Sequence, residues 1–241
     1  MRLIVVMVVA GLGCGGDGSK AVDALPSDAA VDAPPDACVA RAPHTFYVNR
    51  TGGTYTPGMD DDSRTNVSRI ITAQTTIPPT TIADADWTAA LTCLRTKLAP
   101  YAVTITDQDP GTAAHIEVVV IANGSQIGIP NAANVAPFAP CMGMEGGVDE
   151  NTIGFAAWTQ GISATEACWN AAQLIGYTVG LDHVIACPDL MSVKAGCDIA
   201  AKAFTNTSQM CGEDTARVCH CGGANQNAAV RLLANLGPSC Q

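Results

Sequence analysis

Apolar positions along the chain alternate between a period of two and a period near 3.6, which marks out an α+β domain. His44-Thr-Phe-Tyr-Val-Asn49 reads as a first strand closed by a turn at Gly52-Gly53. The polar, Pro-rich stretch that follows through Pro79 keeps no period and reads as a loop. Trp87, Ala90, Leu91, Leu94 and Leu98 then share one helical face, with Asp84 or Asp86 as N-cap and Pro100 as the stop. Two strands are expected at 102–106 and 115–121, with Asp109-Pro-Gly111 turning between them. After a Gly/Pro-rich loop, Thr152-Ile-Gly-Phe-Ala-Ala-Trp158 is a fourth strand. Ser163, with Glu166 three residues on, opens a further helix with a capping-box signature. One last amphipathic helix lies between Gly222 and Gly237, with Ala229, Leu232, Leu233 and Leu236 on its apolar face.

The N-terminus changes this picture by adding an export signal. Arg2 supplies a positive charge, and Leu3 to Leu12 is apolar apart from Gly11. About ten such residues are too few for a membrane span, which needs roughly 20, so residues 1–13 read as a signal peptide. Gly13-Cys14 resembles the bacterial lipoprotein signal, in which Cys14 would be the lipidated residue. The family's usual Leu three places before the Cys is Gly11 here, with Leu12 one step late. Lipidation implies a protein held at the cell envelope, at the outer membrane or cell surface, touching membrane only through its anchor; plain secretion is the alternative. Residues 14–37 are Gly, Ala, Asp and Pro with little to bury, and are expected to be a flexible tether. Residues 38–241 form the folded domain.

Charge says little about partners once the tether is set apart. The chain carries 12 Lys and Arg against 22 Asp and Glu, a net charge of −10. Five Asp (17, 23, 28, 32 and 36) against Lys20 place −4 of this in the tether. No basic run occurs, which excludes a nucleic-acid surface. Cysteine use agrees with export. Setting Cys14 aside leaves ten of the 11 cysteines, an even number expected to form about five disulfides in an oxidising compartment. Spacing does not give their pairing; a local closure of Cys187 with Cys197 is one option.

Candidate chemistry concentrates at residues 171–183, Ala-Ala-Gln-Leu-Ile-Gly-Tyr-Thr-Val-Gly-Leu-Asp-His. The zinc pattern H-E-x-x-H-x-x-G-x-x-H fits Gln173 through His183 without a gap. In that pattern two histidines four apart reach one ion from one helix face, and the glutamate takes a proton from metal-bound water. The glycine lets the chain leave the helix, and the third histidine completes the ligands. Here Gly180 and His183 match, while Gln173, Leu174 and Tyr177 stand in the places of histidine, glutamate and histidine. Gly180-Leu181-Asp182-His183 followed by Pro188-Asp-Leu-Met191-Ser-Val193 resembles the metzincin metallopeptidases, whose third histidine precedes a tight turn carrying Met beneath the metal.

The resemblance covers residues 44–195, with 196–241 as a Cys-rich, disulfide-stapled C-terminal part. It implies a twisted, mostly parallel sheet packed on helices, with an active-site helix and a Met-turn. It also implies that His183 is the one surviving zinc-ligand position, with Met191 in the turn. Leu174 cannot accept a proton, Gln173 is a poor zinc ligand, and Tyr177 could bind only as phenolate. The expectation is therefore a domain with no catalytic residue and no cofactor, which binds a peptide or protein in the old cleft or serves structurally. The alternative is an active zinc-dependent endopeptidase with substitute ligands, for example His183, Tyr177 and His115, and Glu166 or Glu145 as base. The bland reading of the same helix is plain packing, since Ala171, Ala172, Leu174, Ile175 and Val179 make a buried face without metal.

Remaining candidates are weaker. Asp60-Asp61-Asp62 lacks the alternating ligands of an EF-hand and reads as a solvated acidic loop. Cys219-His220-Cys221, with Cys211 nearby, offers thiols and an imidazole, but an exported chain favours disulfides. His44 and His115 sit at strand starts and read as packing residues. Ser163 and Ser192 lack a Gly-x-Ser-x-Gly context, which excludes the common serine-hydrolase elbow. Asn-x-Ser/Thr triplets at Asn49, Asn66, Asn123 and Asn206 carry no weight in a bacterial lipoprotein.

Overall fold

A computed structural model describes residues 41–130, 132–141, 147–159 and 161–240. The expected signal peptide, the candidate lipidation site Cys14 and the expected tether lie outside the described residues. In chain order the elements are β1 (His44–Asn49), β2 (Gly53–Pro57), β3 (Val67–Ser68), β4 (Thr75–Ile77), α1 (Asp84–Leu98) and β5 (Val103–Thr106). They continue with β6 (Ile116–Ile121), a 3₁₀ turn (Gly124–Ile127), β7 (Asn134–Val135), β8 (Ile153–Ala157) and α2 (Ala164–Thr178). The last three are β9 (Gln209–Met210), β10 (Asn225–Gln226) and α3 (Ala228–Leu236).

The central sheet has the order β5-β1-β6-β8-β7. β1, β5, β6 and β8 pair in parallel, and only β7 runs antiparallel, at one edge. The α+β class is thus as the periodicities suggest, and the mostly parallel sheet is as the resemblance implies. Alternation on β1 and β6 divides the buried residues between two layers. Phe46, Val48, Ile116, Val118 and Val120 face the helices, where they pack with Trp87, Leu91 and Leu94 of α1 and Leu174 and Ile175 of α2. Val119, Ile121, Ile153 and Phe155 face the other way, against Tyr55, Ile71 and Ile77. Tyr47, Asn49 and Glu117 share this second face by parity, and that placement turns out to matter.

Several expectations change. The stretch read as a loop up to Pro79 instead holds a three-stranded sheet, β3-β2-β4, which covers the second face. Its strands are short and rich in Thr, so their burial comes from what they cover and not from a period. Gly52 makes the tight entry, with φ +70°; a Cβ there would fall 2.1 Å from the Ile77 carbonyl oxygen. α1 is capped at Ala83 with no side-chain cap, so Asp84 and Asp86 belong to the first turn, where the helix dipole favours them. On α3 the buried stripe is Ala228, Leu232 and Leu236 with Arg231, while Leu233 faces solvent at 42% exposure. The hydroxyl of Ser163 accepts from the Glu166 N–H at 3.2 Å, the serine half of the capping-box signature.

Four disulfides occur among the described residues: Cys93–Cys168, Cys141–Cys221, Cys187–Cys197 and Cys211–Cys219. Cys240 is disulfide-bonded as well. Cys93–Cys168 ties α1 to α2 across 75 residues of chain. The bridges fit an exported chain, and no helix among the described residues is long and apolar enough to cross a membrane.

Candidate functional site

The C-terminal end of α2 and the segment after it bring the motif residues together. α2 stops in a Schellman arrangement: Leu181 N–H bonds the Gly176 carbonyl at 2.8 Å, and Gly180 N–H bonds that of Tyr177 at 3.1 Å. Gly180 sits at φ +86°, the left-handed conformation this turn requires. The turn throws the chain back so that His183 returns to Tyr177. Below α2, Met191 is fully buried against Gly176, where a Cβ would come within 2.4 Å of its sulfur. The Met191 turn is pinned on several sides. Asp189 Oδ1 accepts from Met191 N–H at 2.9 Å, and Trp169 of α2 donates to the Leu190 carbonyl at 2.8 Å.

Each replaced motif position has an internal partner. Gln173 is buried; its Oε1 accepts from Asn134 on β7 at 3.1 Å, and its Nε2 reaches the Met191 carbonyl at 3.5 Å. Asn170, one turn earlier, accepts from the same Asn134 amide at 3.2 Å. Gln173 therefore clasps the edge strand and the Met191 turn. Leu174 is fully buried against β8, so close to Gly154 that a Cβ there would lie 2.5 Å from a Leu174 methyl. Tyr177 meets His183 directly, its hydroxyl hydrogen-bonded to Nε2. His183 Nδ1 lies 2.8 Å from Glu213 Oε1. With Nδ1–H given to the carboxylate, Nε2 is the acceptor and Tyr177 the donor.

Charges around this relay form a closed set. Arg217 bonds both oxygens of the fully buried Asp182, at 2.6 and 2.8 Å, and Glu213 Oε1 at 2.9 Å. Asp182 also accepts from the backbone N–H of His183 and His220, each at 2.7 Å. Burial alone would raise the Asp182 carboxyl, but the bonds from Arg217, His220 and His183 outweigh it and hold it below its ordinary value. Bonds from Arg217 and then His183 hold Glu213 down to about 2. Burial, with the charges of Asp182 and Glu213 behind it, pushes the Tyr177 phenol far up. Phe138 lies edge-on to Tyr177 at 5.2 Å and is stacked on His220 at 4.3 Å.

A zinc ion does not fit these residues. Zinc needs three convergent donors with free lone pairs. Here His183 is the one imidazole, its Nε2 is hydrogen-bonded to the Tyr177 hydroxyl, and the amide of Gln173, a poor zinc donor, is committed to Asn134 and Met191. The substitute ligands do not join them. His115 sits at the foot of β6 against the Tyr47 ring, in the company of Glu117, and Glu166 lies in the first turn of α2, eleven residues before Tyr177. Eleven residues of helix span about 16 Å. Glu145 lies outside the described residues. One group of three metal-type side chains does converge among the described residues: ligand atoms of Cys141, His220 and Cys221 lie within 4.8 Å of one another. Its two sulfurs are bonded to each other, so neither is a thiolate. Of the acidic loop, Asp61 and Asp62 pair with Arg69 and Arg64.

Sequence reading missed Asn134, Glu213 and Arg217. Glu213 and Arg217 stand in the Cys-rich part with no motif around them, and only the Cys211–Cys219 loop brings them to His183. Glu213 and Arg217 are four apart, but on a loop, where that spacing predicts nothing. Compared with known proteins, the chain matches no family model and no curated protein.

Proposed function

We propose that this chain is an exported, disulfide-stapled domain on a metzincin-like frame whose metal position has been converted into a protein hydrogen-bond network. It does not hydrolyse peptides; it binds a peptide or protein, or stiffens an assembly at the cell envelope, from a lipidated N-terminal tether. One observation carries this reading: Nε2 of His183, the nitrogen a metal would take, is hydrogen-bonded to the Tyr177 hydroxyl instead. The mostly parallel sheet with one antiparallel edge supports the frame, as do the Gly180 turn and the buried Met191 under Gly176. Loss of the proton-accepting carboxylate at Leu174 supports the absence of hydrolysis, since such a group contributes about 10²–10⁴ in rate.

Zinc content tests both halves. Protein made in an oxidising compartment is expected to carry no stoichiometric zinc. One tightly held zinc per chain, lost on His183→Ala, would overturn the inactive reading. The pair Gln173→His and Tyr177→His is expected to create zinc binding together with His183. If that variant folds and takes no zinc, the metzincin alignment is wrong. Leu174→Glu is better added last, because Leu174 is packed on Gly154 in the core.

A further inference from the structure

The face of the sheet turned away from the helices holds a carboxylate that the His183 network does not use. Glu117 of β6 is 2% exposed. Its Oε1 accepts from Asn49 Nδ2 at 2.7 Å and from the Tyr55 hydroxyl at 2.8 Å. Its Oε2 is buried with no partner. Neither protonation state resolves this. As a carboxylate, Oε2 lacks a donor; as an acid, its O–H lacks an acceptor. Glu117 lines a polar cavity of about 140 Å³. Asn49, Ser63 and His115 form its buried floor, while Thr51, Arg64 and Asp109 stand exposed around the rim.

We propose that this cavity is a binding site for a primary ammonium group, held by N–H donation to the free oxygen of Glu117 and to Asp109. The sign of the guest follows from the lining. Two acidic residues, Glu117 and Asp109, line the cavity, and its one arginine, Arg64, is bound in a fork by Asp62, at 2.8 and 3.2 Å. Asp109 Oδ1 takes only the Gly111 N–H, at 2.7 Å. The size of the guest follows from the spacing. Glu117, Asp109 and His115 do not converge to within reach of one bare ion, as the Cys141 group does. A cavity of about 140 Å³ holds several water-sized groups, at about 10–15 Å³ each, so it suits a cationic head with a few heavy atoms behind it. This inference is independent of what the α2 site does.

Charge balance sets the pH dependence. The titratable and charged groups around Glu117 are Tyr47 on β1, Tyr55 on β2, Arg64 before β3, and Asp109 and His115 before β6. Burial keeps Tyr47 and Tyr55 protonated, and it raises Glu117 to about 7. Ammonium binding needs ionised Glu117, so it should release a proton near neutral pH and weaken about tenfold for each unit below that value.

Titration calorimetry on the whole folded chain tests this, with n-butylammonium as probe and n-butanol, tetramethylammonium and Ca²⁺ in parallel. Saturable binding of butylammonium is expected in the millimolar range or tighter, with none for butanol and only weak binding for tetramethylammonium, which has no N–H. Glu117→Gln should cost at least tenfold in affinity, and Asp109→Asn severalfold. If Glu117→Gln fails to fold, the exposed Asp109→Asn and the pH profile of the wild type still decide. Equal binding of butanol, a pH-independent affinity, or no butylammonium binding at millimolar concentrations overturns the proposal. So does displacement of butylammonium by Ca²⁺, which would make this a metal site.

Discussion

Glu117→Gln, measured in the free protein, tests whether the second face of the sheet is as dry as its packing implies. Burial raises the Glu117 carboxyl from an ordinary 4.5 to about 7, against the lowering effect of bonds from Asn49 and Tyr55. The difference is about two and a half units, or about 3 kcal/mol at 1.36 kcal/mol per unit. The sign is fixed by proton counting. Between pH 4.5 and about 7 the folded chain holds a proton on Glu117 that the unfolded chain has released. Stability from this group therefore falls as pH rises through that window and levels off above it. Gln at 117 keeps the shape and an acceptor for Asn49 and Tyr55 but cannot ionise. Urea unfolding with disulfides intact should show the variant gaining on the wild type by about 3 kcal/mol on going from pH about 4 to pH about 8. Other titrating groups are common to both proteins and cancel. A stability difference that does not change with pH would mean Glu117 titrates as a solvated carboxyl, and the buried-cavity reasoning would fall.

Two other perturbations probe the frame around His183. Gly176→Ala should destabilise by up to about 2 kcal/mol. The gain in helix propensity is about 1 kcal/mol, but the new methyl meets the buried Met191 sulfur and overpacking costs about 1–3 kcal/mol. A Met191→Ala background should remove most of that overpacking penalty, read as coupling in a double-mutant cycle; an additive pair would show that Met191 does not press on α2. Asp182→Asn should cost about 1.5–3 kcal/mol by thermal or urea unfolding, because the buried Asp182 carboxylate loses its charge-assisted bonds from the exposed Arg217. It should also loosen Glu213 from His183. No loss of stability would show that Arg217 is anchored by Glu213 alone.

Much of the fold was legible from periodicity. β1 begins and ends where the alternation at 44–49 put it, and β6, β8, α1 and α2 differ from expectation only at their ends. Gly180 was legible too, because a left-handed helix stop is a local demand on one residue. The covering sheet of β2, β3 and β4 was not. Its strands are two to five residues long, and Gly53-Thr-Tyr-Thr-Pro57 has no apolar alternation to read. Leu233 looked like a core residue by type, but it points outward because the helix turns Ala228, Leu232 and Leu236 inward.

The site divides along the same line. The sequence by itself placed Gln173, Leu174 and Tyr177 where the zinc pattern has two histidines and a glutamate, and the cysteine count determined that the domain would be cross-linked. Composition could not choose which thiols pair, since pairing depends on which loops approach in space. Only tertiary structure brought Glu213 from the Cys-rich part to His183 and set Asn134 against Gln173. It alone decided that Glu117, an ordinary acidic residue within a strand, lies on a covered face with one oxygen unpartnered. Desolvation and partner geometry set a carboxyl's properties, and both are fixed by contacts between segments far apart in the chain.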